Sequence, residues 1–256
     1  METRTRVVVL AAGRGTRMRS EIPKVLVPLN GRPMIGYLLD AIKESGADQR
    51  PVMVVGDNEY LMRSTLGDGY DYVRQCEQLG TGHAVQCTEP LLKDKTDTVI
   101  VLYGDHPFVS ADTIANLTAL HQREGCVLSM MTTVVEDFND WRAPFADFSR
   151  VLRDAAGHIT AVAEAKDATS EQRELREVNP AFFAFQAAWL WEHLALLKNN
   201  NAKNEYYLTD LVRIAIGEGQ CIASLAIDPA ESIGVNTPEH LSFAARIIAG
   251  RQTAVQ

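Results

Sequence analysis

Residues 6–29 read RVVVLAAGRGTRMRSEIPKVLVPL, and the rest of the chain is interpreted outward from this stretch. Arg6–Leu10 predicts a strand, and its Val7-Val8-Val9-Leu10 run has no polar alternate, as expected for a strand buried on both faces. Gly13 and Gly15 follow at once, accompanied by Arg14, Arg17, Arg19 and Lys24. Glycine lets backbone N–H groups come close to phosphate oxygens, and the cations neutralise phosphate charge. Two familiar phosphate loops are excluded. No Gly-Lys-Ser/Thr occurs, so this is not a P-loop, and Met18 stands where a dinucleotide fingerprint needs its third glycine. A surface turn with incidental arginines could share the Gly-x-Gly; Pro23-Lys24 a few residues on shifts the balance toward function.

The basic start (Arg4, Arg6) and apolar run could imitate a signal peptide, but the run is short and passes straight into Gly-Arg-Gly-Thr-Arg, so a first strand explains it better. Pro51–Val55, Tyr72–Gln75 and Val99–Tyr103 repeat the strand pattern, with helices between them. One helix has Pro33 in its first turn and an apolar stripe of Met34, Ile35, Leu38, Leu39 and Ile42, stopping at Gly46. Another is capped by Ser110 and carries Ile114, Leu117 and Leu120. In the second half Val127–Val135, Ile159–Glu164 and Val178–Phe185 read as strands, while 136–147 and 167–176 read as surface loops. A last helix takes Thr237 as cap and Pro238 next, burying Leu241, Ala244, Ala245 and Ile248. The expected fold is α/β, a Rossmann-like, mainly parallel mixed sheet flanked by helices, forming one domain over residues 1–256.

A chain of 256 residues can bury a large core without covalent staples. Its formal net charge of −8 argues against nucleic acid as a partner, since that needs a broad basic face. A small phosphorylated substrate needs only a few local cations. Cys76, Cys87, Cys126 and Cys221 are widely and irregularly spaced, fitting neither a zinc site nor a disulfide framework, and read as free thiols in a reducing cytoplasm. The most apolar later stretch, 181–197, is broken by Gln186, Glu192 and His193 and is too mixed to span a membrane.

LAAGRGTRM followed by PKVLVPLNGRPMI closely resembles the signature of the sugar-phosphate nucleotidyltransferases, most of all the uridylyltransferase domain of bacterial N-acetylglucosamine-1-phosphate uridylyltransferases. RQCEQLGTGHAVQ (74–86), YGDHP (103–107), EAKDAT (164–169), EVN (177–179), NEYYLTD (204–210) and GVN (234–236) follow in that family's order. The resemblance implies a nucleotide-diphospho-sugar transferase fold, with about 1–135 as nucleotide half and about 136–256 as sugar half. It implies Mg²⁺-dependent transfer of a uridylyl group from UTP to a sugar 1-phosphate, first of all N-acetylglucosamine 1-phosphate.

The chemistry is an in-line displacement at the α-phosphorus. The acceptor is already an anion, so positioning and charge neutralisation matter more than a base, in keeping with the lack of a Ser-His-Asp or Cys-His pattern. Arg17 and Lys24 are the expected phosphate cations; by resemblance Arg17 faces the departing pyrophosphate and Lys24 the α-phosphate and sugar phosphate. Asp105 and Asn236 hold the family's metal positions, and Mg²⁺ asks for only one or two protein oxygens beside phosphates and waters. Leu10, Ala11, Ala12, Gly13, Gly15, Gln75, Gln78, Gly80 and Thr81 match the nucleotide side, where glutamines suit a base edge that both donates and accepts. Tyr103, Ser149, Glu164 and Asn179 match the sugar side; Asn236 could also be a turn residue and Glu164 a solvated strand-end acid. His83 reads as structural. His106 reads as a support behind Asp105 or as packing, not as a direct participant, since the next side chain along a strand points to the opposite face. Tyr206 and Tyr207 read as partly sugar-facing or as core.

Two departures fall in the sugar pocket. Phe148-Ser149-Arg150 replaces the family's Tyr-Gly-Arg, and Pro180-Ala181 replaces a small residue and glycine after the asparagine. Ser149 keeps its N–H but adds a side chain, and Pro180 has no N–H. Glucose 1-phosphate or another hexosamine 1-phosphate therefore stays open as acceptor. A same-fold enzyme using dTTP, CTP or a guanine nucleotide also stays open, as does a catalytically silent sugar-nucleotide sensor; a nicotinamide oxidoreductase is disfavoured. No hexapeptide repeats follow the last helix, so the expectation is no acetyltransferase activity, no β-helix trimer, and a monomer or small homo-oligomer.

Overall fold

The computed structural model describes residues 4–13, 15–18, 20–201 and 203–253, without the side chains of Thr16 and of 251–253. Arg14 and Arg19, two of the loop cations named above, lie outside the described residues.

The strands are β1 (Thr5–Leu10), β2 (Pro28–Leu29), β3 (Arg32–Pro33), β4 (Val52–Val55), β5 (Asp71–Arg74), β6 (Thr98–Tyr103), β7 (Leu128–Val134), β8 (Ser149–Arg153), β9 (Ile159–Ala163), β10 (Glu177–Asn179), β11 (Phe183–Gln186) and β12 (Ile222–Ala226). The helices are α1 (Ile35–Glu44), α2 (Glu59–Leu66), α3 (Thr81–Gln86), α4 (Glu89–Leu92), α5 (Ala111–Glu124), α6 (Ser170–Arg173), α7 (Ala187–Leu194), α8 (Asp210–Gly217) and α9 (Pro238–Thr253). Ten strands form one sheet in the order β5-β4-β1-β6-β11-β7-β10-β8-β9, with β12 beside β7; β2 and β3 form a separate hairpin. β5, β4, β1 and β6 are parallel, as are β7 and β12, whereas β11 is antiparallel to both β6 and β7. The mainly parallel, helix-flanked α/β reading holds.

The valine run of β1 explains the layering. Successive side chains on a strand face opposite ways. Val8 joins Val52, Val54, Val99 and Val101 against α3, α7 and α8, while Val7 and Val9 join Met53, Val55, Ile100 and Leu102 against α1 and α5. With both faces apolar, alternation alone does not distinguish one register from its neighbour. A polar clamp at the amino ends supplies that discrimination. Asp48 accepts from Arg6 Nε and Val7 N, both at 2.9 Å, and Asp71 accepts from Arg6 at 2.8 Å and Arg50 at 2.7 Å.

Several expectations are corrected. Pro33 lies in β3, and α1 begins after Met34, because Arg32 and Pro33 first pair back across a turn with Pro28 and Leu29. The run 178–185 is two strands, since Asn179 pairs with Ser149 and Phe183 with both β6 and β7, so Pro180–Phe182 must carry the chain across β7. Residues 136–147 contain a 3₁₀ helix over Asp140–Asp147 with Phe145 buried, and 167–176 contain α6, closed by a capping box of Thr169 and Gln172. Ser110 and Thr237 cap as expected, through Thr113 N at 3.2 Å and His240 N at 3.3 Å. Cys126 and Cys221 form a disulfide where free thiols were expected. They precede the paired strands β7 and β12, which brings residues 95 apart in sequence to a Cα separation of 4.8 Å, within bridging range. Cys76 and Cys87 are free. No helix among the described residues is long and apolar enough to cross a membrane.

His121 on α5 is 4 % exposed and meets Ser129 Oγ of β7 at 2.9 Å. Burial pushes its imidazole down from 6.5 to about 4, against a raising hydrogen bond to the Phe185 backbone. Between those values the unfolded chain binds a proton that the folded chain refuses, so stability rises with pH. This contribution is fully present above pH 6.5 and is lost as pH falls toward 4, on the order of 3 kcal/mol in all. Urea unfolding at neutral pH and near pH 4 should show a smaller acid loss in His121→Gln than in the parent; equal losses would contradict it.

Candidate active site

Every parallel strand of the first half delivers a site segment from its carboxyl end. β1 leads to Ala11–Gly13, β4 to Gly56, β5 to Gln75, and β6 to Gly104 and Asp105. The chain runs from β1 outward to β4 and β5, then returns to the other side of β1 as β6. The switch point thus lies between β1 and β6, where a crevice opens in sheets of this kind.

At that point four residues distant in sequence converge. Lys24 Nζ donates to Asp105 Oδ2 at 2.5 Å and to Asn236 Oδ1 at 2.9 Å, and Arg17 donates to the same Asn236 oxygen at 3.1 Å. Each partner is placed by its backbone. Gly15 adopts a positive φ, and a Cβ there would stand 2.6 Å from Lys24 Cβ, so glycine lets the loop fold over the lysine. Val235 N donates to Asp105 O at 2.9 Å, which ties the Gly-Val-Asn turn to the end of β6. The Lys24 and Asp105 side chains are only 14 % and 13 % exposed. Burial raises the Asp105 carboxyl, but His106 and Lys24 outweigh it and hold the group well below the usual carboxylate range, ionised at any working pH.

His106 both supports Asp105 and packs, as read from the sequence, but the strand-alternation argument used for it does not apply. β6 ends at Tyr103, so Asp105 and His106 lie in a turn where strand alternation no longer applies. His106 Nδ1 stands 3.1 Å from Asp105 Oδ1, its ring edge-on to Phe182 at 4.9 Å. The imidazole orients the carboxylate.

Four of the predicted nucleotide residues, Ala11, Ala12, Gly13 and Gln78, line a cavity of about 110 Å³, together with Gly56 and Asp57, which were not foreseen from sequence; Leu10, Gly15, Gln75, Gly80 and Thr81 are not in its wall. Gln78 donates to Ala12 O at 2.7 Å, and Gln75, which is buried, donates to Gly80 O at 3.0 Å and meets His83 Nδ1 at 3.1 Å. Both glutamines therefore use amide hydrogens to hold the loops together, and no bond to either Oε1 is made among the described residues. His83 is structural, as expected. Thr81 Oγ1 accepts from Leu208 N at 3.0 Å, and Tyr206 pairs through its backbone with Leu79 O and Gly82 N. Leu10 ends β1 and supports Gly104 N through its carbonyl at 3.0 Å.

Gly80 has φ of +109°, and an added Cβ would lie 2.6 Å from Tyr206 O and 2.8 Å from Tyr206 N. Backbone cannot yield as a side-chain tip can. Gly80→Ala should therefore lower stability by about 2 kcal/mol and weaken nucleotide binding several-fold. Thermal unfolding and nucleotide titration measure both, and parent-like values would contradict the tight packing.

On the sugar side, Glu164 Oε1 accepts from Thr209 at 3.0 Å, and burial raises the Tyr103 phenol despite a hydrogen bond with Thr81. Asn179 is 4 % exposed; its Oδ1 accepts from Ala181 N at 2.8 Å while its Nδ2 has no partner among the described residues. Ala181 holds φ of +65°, a left-handed turn with a non-glycine residue in it. Ser149 is buried and pairs with Asn179, whereas Arg150 belongs to the scaffold, packing under the Phe138 ring and donating to nearby carbonyls including Phe148 O.

The MobA-like NTP transferase domain matches residues 7–204, and fold and site together define a nucleotidyltransferase. The chain belongs to the MobA-like NTP transferase family. The bifunctional protein GlmU of Geotalea daltonii is 41 % identical over 244 residues, covering 94 % of this chain and 52 % of that protein. GlmU of Heliobacterium modesticaldum is 39 % identical, covering 98 % of this chain and 53 % of that one. The chain thus spans about half the length of the curated relatives it matches. A UDP-glucose pyrophosphorylase solved with UDP-glucose shares the fold, with a TM-score of 0.77 at 18 % identity over 97 % of this chain and all of that one.

Proposed function

We propose that the chain transfers the uridylyl group of UTP to a sugar 1-phosphate, in the first place N-acetylglucosamine 1-phosphate, and releases pyrophosphate. The observation that carries this reading is the convergence of Arg17, Lys24, Asp105 and Asn236 at the switch point of the sheet. An oxygen of the sugar phosphate attacks the α-phosphorus of UTP, and the bond from that phosphorus to the oxygen bridging to the β-phosphate breaks. Pyrophosphate carries away the bonding electrons. Lys24 and Arg17 neutralise the charge accumulating on the transferred group and on the departing pyrophosphate.

The donor set suits Mg²⁺. Asp105 Oδ2 and Asn236 Oδ1 already share one cation, the Lys24 ammonium, and both are hard oxygen donors. Asp105 and Asn236 would hold the ion, which when bound supplies further neutralisation of the phosphates. His106, at 3.1 Å from Asp105 Oδ1, would keep that carboxylate in place to hold the ion.

Gln75, Gln78, Gly80 and Thr81 would bind the uracil side, and Tyr103, Ser149, Glu164 and Asn179 the sugar, with Asn179 Nδ2 as donor to it. On this reading the protein works on small phosphorylated substrates, as a monomer or small homo-oligomer. The reverse reaction tests it. UDP-N-acetylglucosamine with pyrophosphate and Mg²⁺ should yield UTP faster than UDP-glucose does; a faster reaction of UDP-glucose would reassign the sugar, and no UTP from either would contradict uridylyl transfer.

A further inference from the structure

The two oxygen donors proposed for Mg²⁺ come from distant segments, and each segment has a polar anchor near its donor. Asp105 lies five residues before Ser110, the cap of α5, and Asn236 lies five residues after Glu231, which sits in a 3₁₀ helix over Pro229–Ser232. Glu231 joins the two anchors. Its Oε2 accepts from Ser110 N at 2.8 Å and its Oε1 from Thr113 Oγ1 at 3.0 Å. The first N–H groups of a helix have no partner within it. Ser110 satisfies Thr113 N with its own hydroxyl, and Glu231, from the far end of the chain, takes the Ser110 N–H. A carboxylate is also favoured there by the positive end of the helix dipole.

The join between the two segments is short. Ile227 N is held by Thr132 O of β7 at 2.8 Å and Val235 N by Asp105 O at 2.9 Å. Phe108, Ile233 and Val235 are buried in one apolar cluster, and a Cβ on Gly234 would stand 2.9 Å from His106 Nε2. Apolar contact is non-directional, so it resists parting the segments more than sliding them. Hydrogen bonds to a carboxylate are directional and stronger than neutral ones. A slide would move Asn236 Oδ1 relative to Asp105 Oδ2, and these two oxygens now meet at Lys24 Nζ. Mg²⁺ demands near-ideal octahedral geometry, so its affinity depends on how such donors are placed.

We propose that Glu231 is a positioning residue: by fastening the Asn236 segment to the start of α5 it sets how Asp105 and Asn236 stand to each other, and so the affinity for the divalent cation. The proposal rests on the assignment of those two residues to Mg²⁺. Calorimetric titration with UTP, once in EDTA and once with Mn²⁺ as probe, gives the gain in affinity that the metal supplies. Asp105→Asn should remove that gain. Glu231→Ala should cut it about tenfold, and Thr113→Val, which takes away one of the two bonds, about threefold. Both variants should bind UTP in EDTA as the parent does, which general loosening of the fold would not allow. A parental gain in both variants, with the gain lost in Asp105→Asn, would overturn the role of Glu231 alone. Equal weakening of UTP binding with and without metal would also overturn it, leaving Glu231 a support of the fold. No gain in the parent, or an undiminished gain in Asp105→Asn, would overturn the metal assignment and this proposal with it.

Discussion

Asp105→Asn should lower kcat by about a thousandfold while the protein stays folded. The substitution keeps the size of the side chain and one acceptor oxygen, so the contact with Lys24 Nζ at 2.5 Å can persist in shape. What it removes is the negative charge that His106 and Lys24 hold ionised, and with it the stronger of the two oxygen donors proposed for Mg²⁺. Initial rates at saturating UTP, beside circular dichroism and thermal unfolding, measure both halves of the expectation. A folded variant with near-parental rate would remove Asp105 from the reaction.

Lys24→Ala should cost about 10²–10³-fold in kcat, with a smaller effect on binding of either substrate. The lysine is one of two cations meeting at Asn236, and Arg17 remains to hold much of the phosphate charge of the ground state. Charge building during transfer is another matter, because Lys24 is the better buried of the two, its side chain only 14 % exposed. Single-turnover rates separate this from binding. An unchanged rate with every acceptor would take Lys24 out of the transfer step, whereas a raised KM with kcat intact would make it a binding residue only.

Much of this site is legible in the sequence because its residues sit just beyond strong local signals. The valine run of β1 announces the glycine loop, and the apolar run of β6 announces Asp105. The features that escape are those set by long-range pairing. β8 and β12 were not foreseen: SRVLR and IASLA are short and carry polar residues, and β12 acquires its place only by lying beside β7. The Cys126–Cys221 pairing depends on that same juxtaposition. His106 was read by strand alternation, which fails because the strand stops three residues earlier, at Tyr103. Ala181 looked like the loss of a glycine, yet the backbone takes a positive φ there, held by the Asn179 side chain. Local pattern reaches as far as the end of a strand; the direction a turn gives to the next side chain comes from what packs around it.

The most direct test of uridylyl transfer is pyrophosphate release from UTP and Mg²⁺ across a panel of sugar 1-phosphates, repeated with dTTP, CTP, ATP and GTP. Release should be strongest with UTP and N-acetylglucosamine 1-phosphate and should disappear on chelation of the metal. Measurable UTP binding with no pyrophosphate release from any pair would contradict the account and make the protein a sugar-nucleotide sensor.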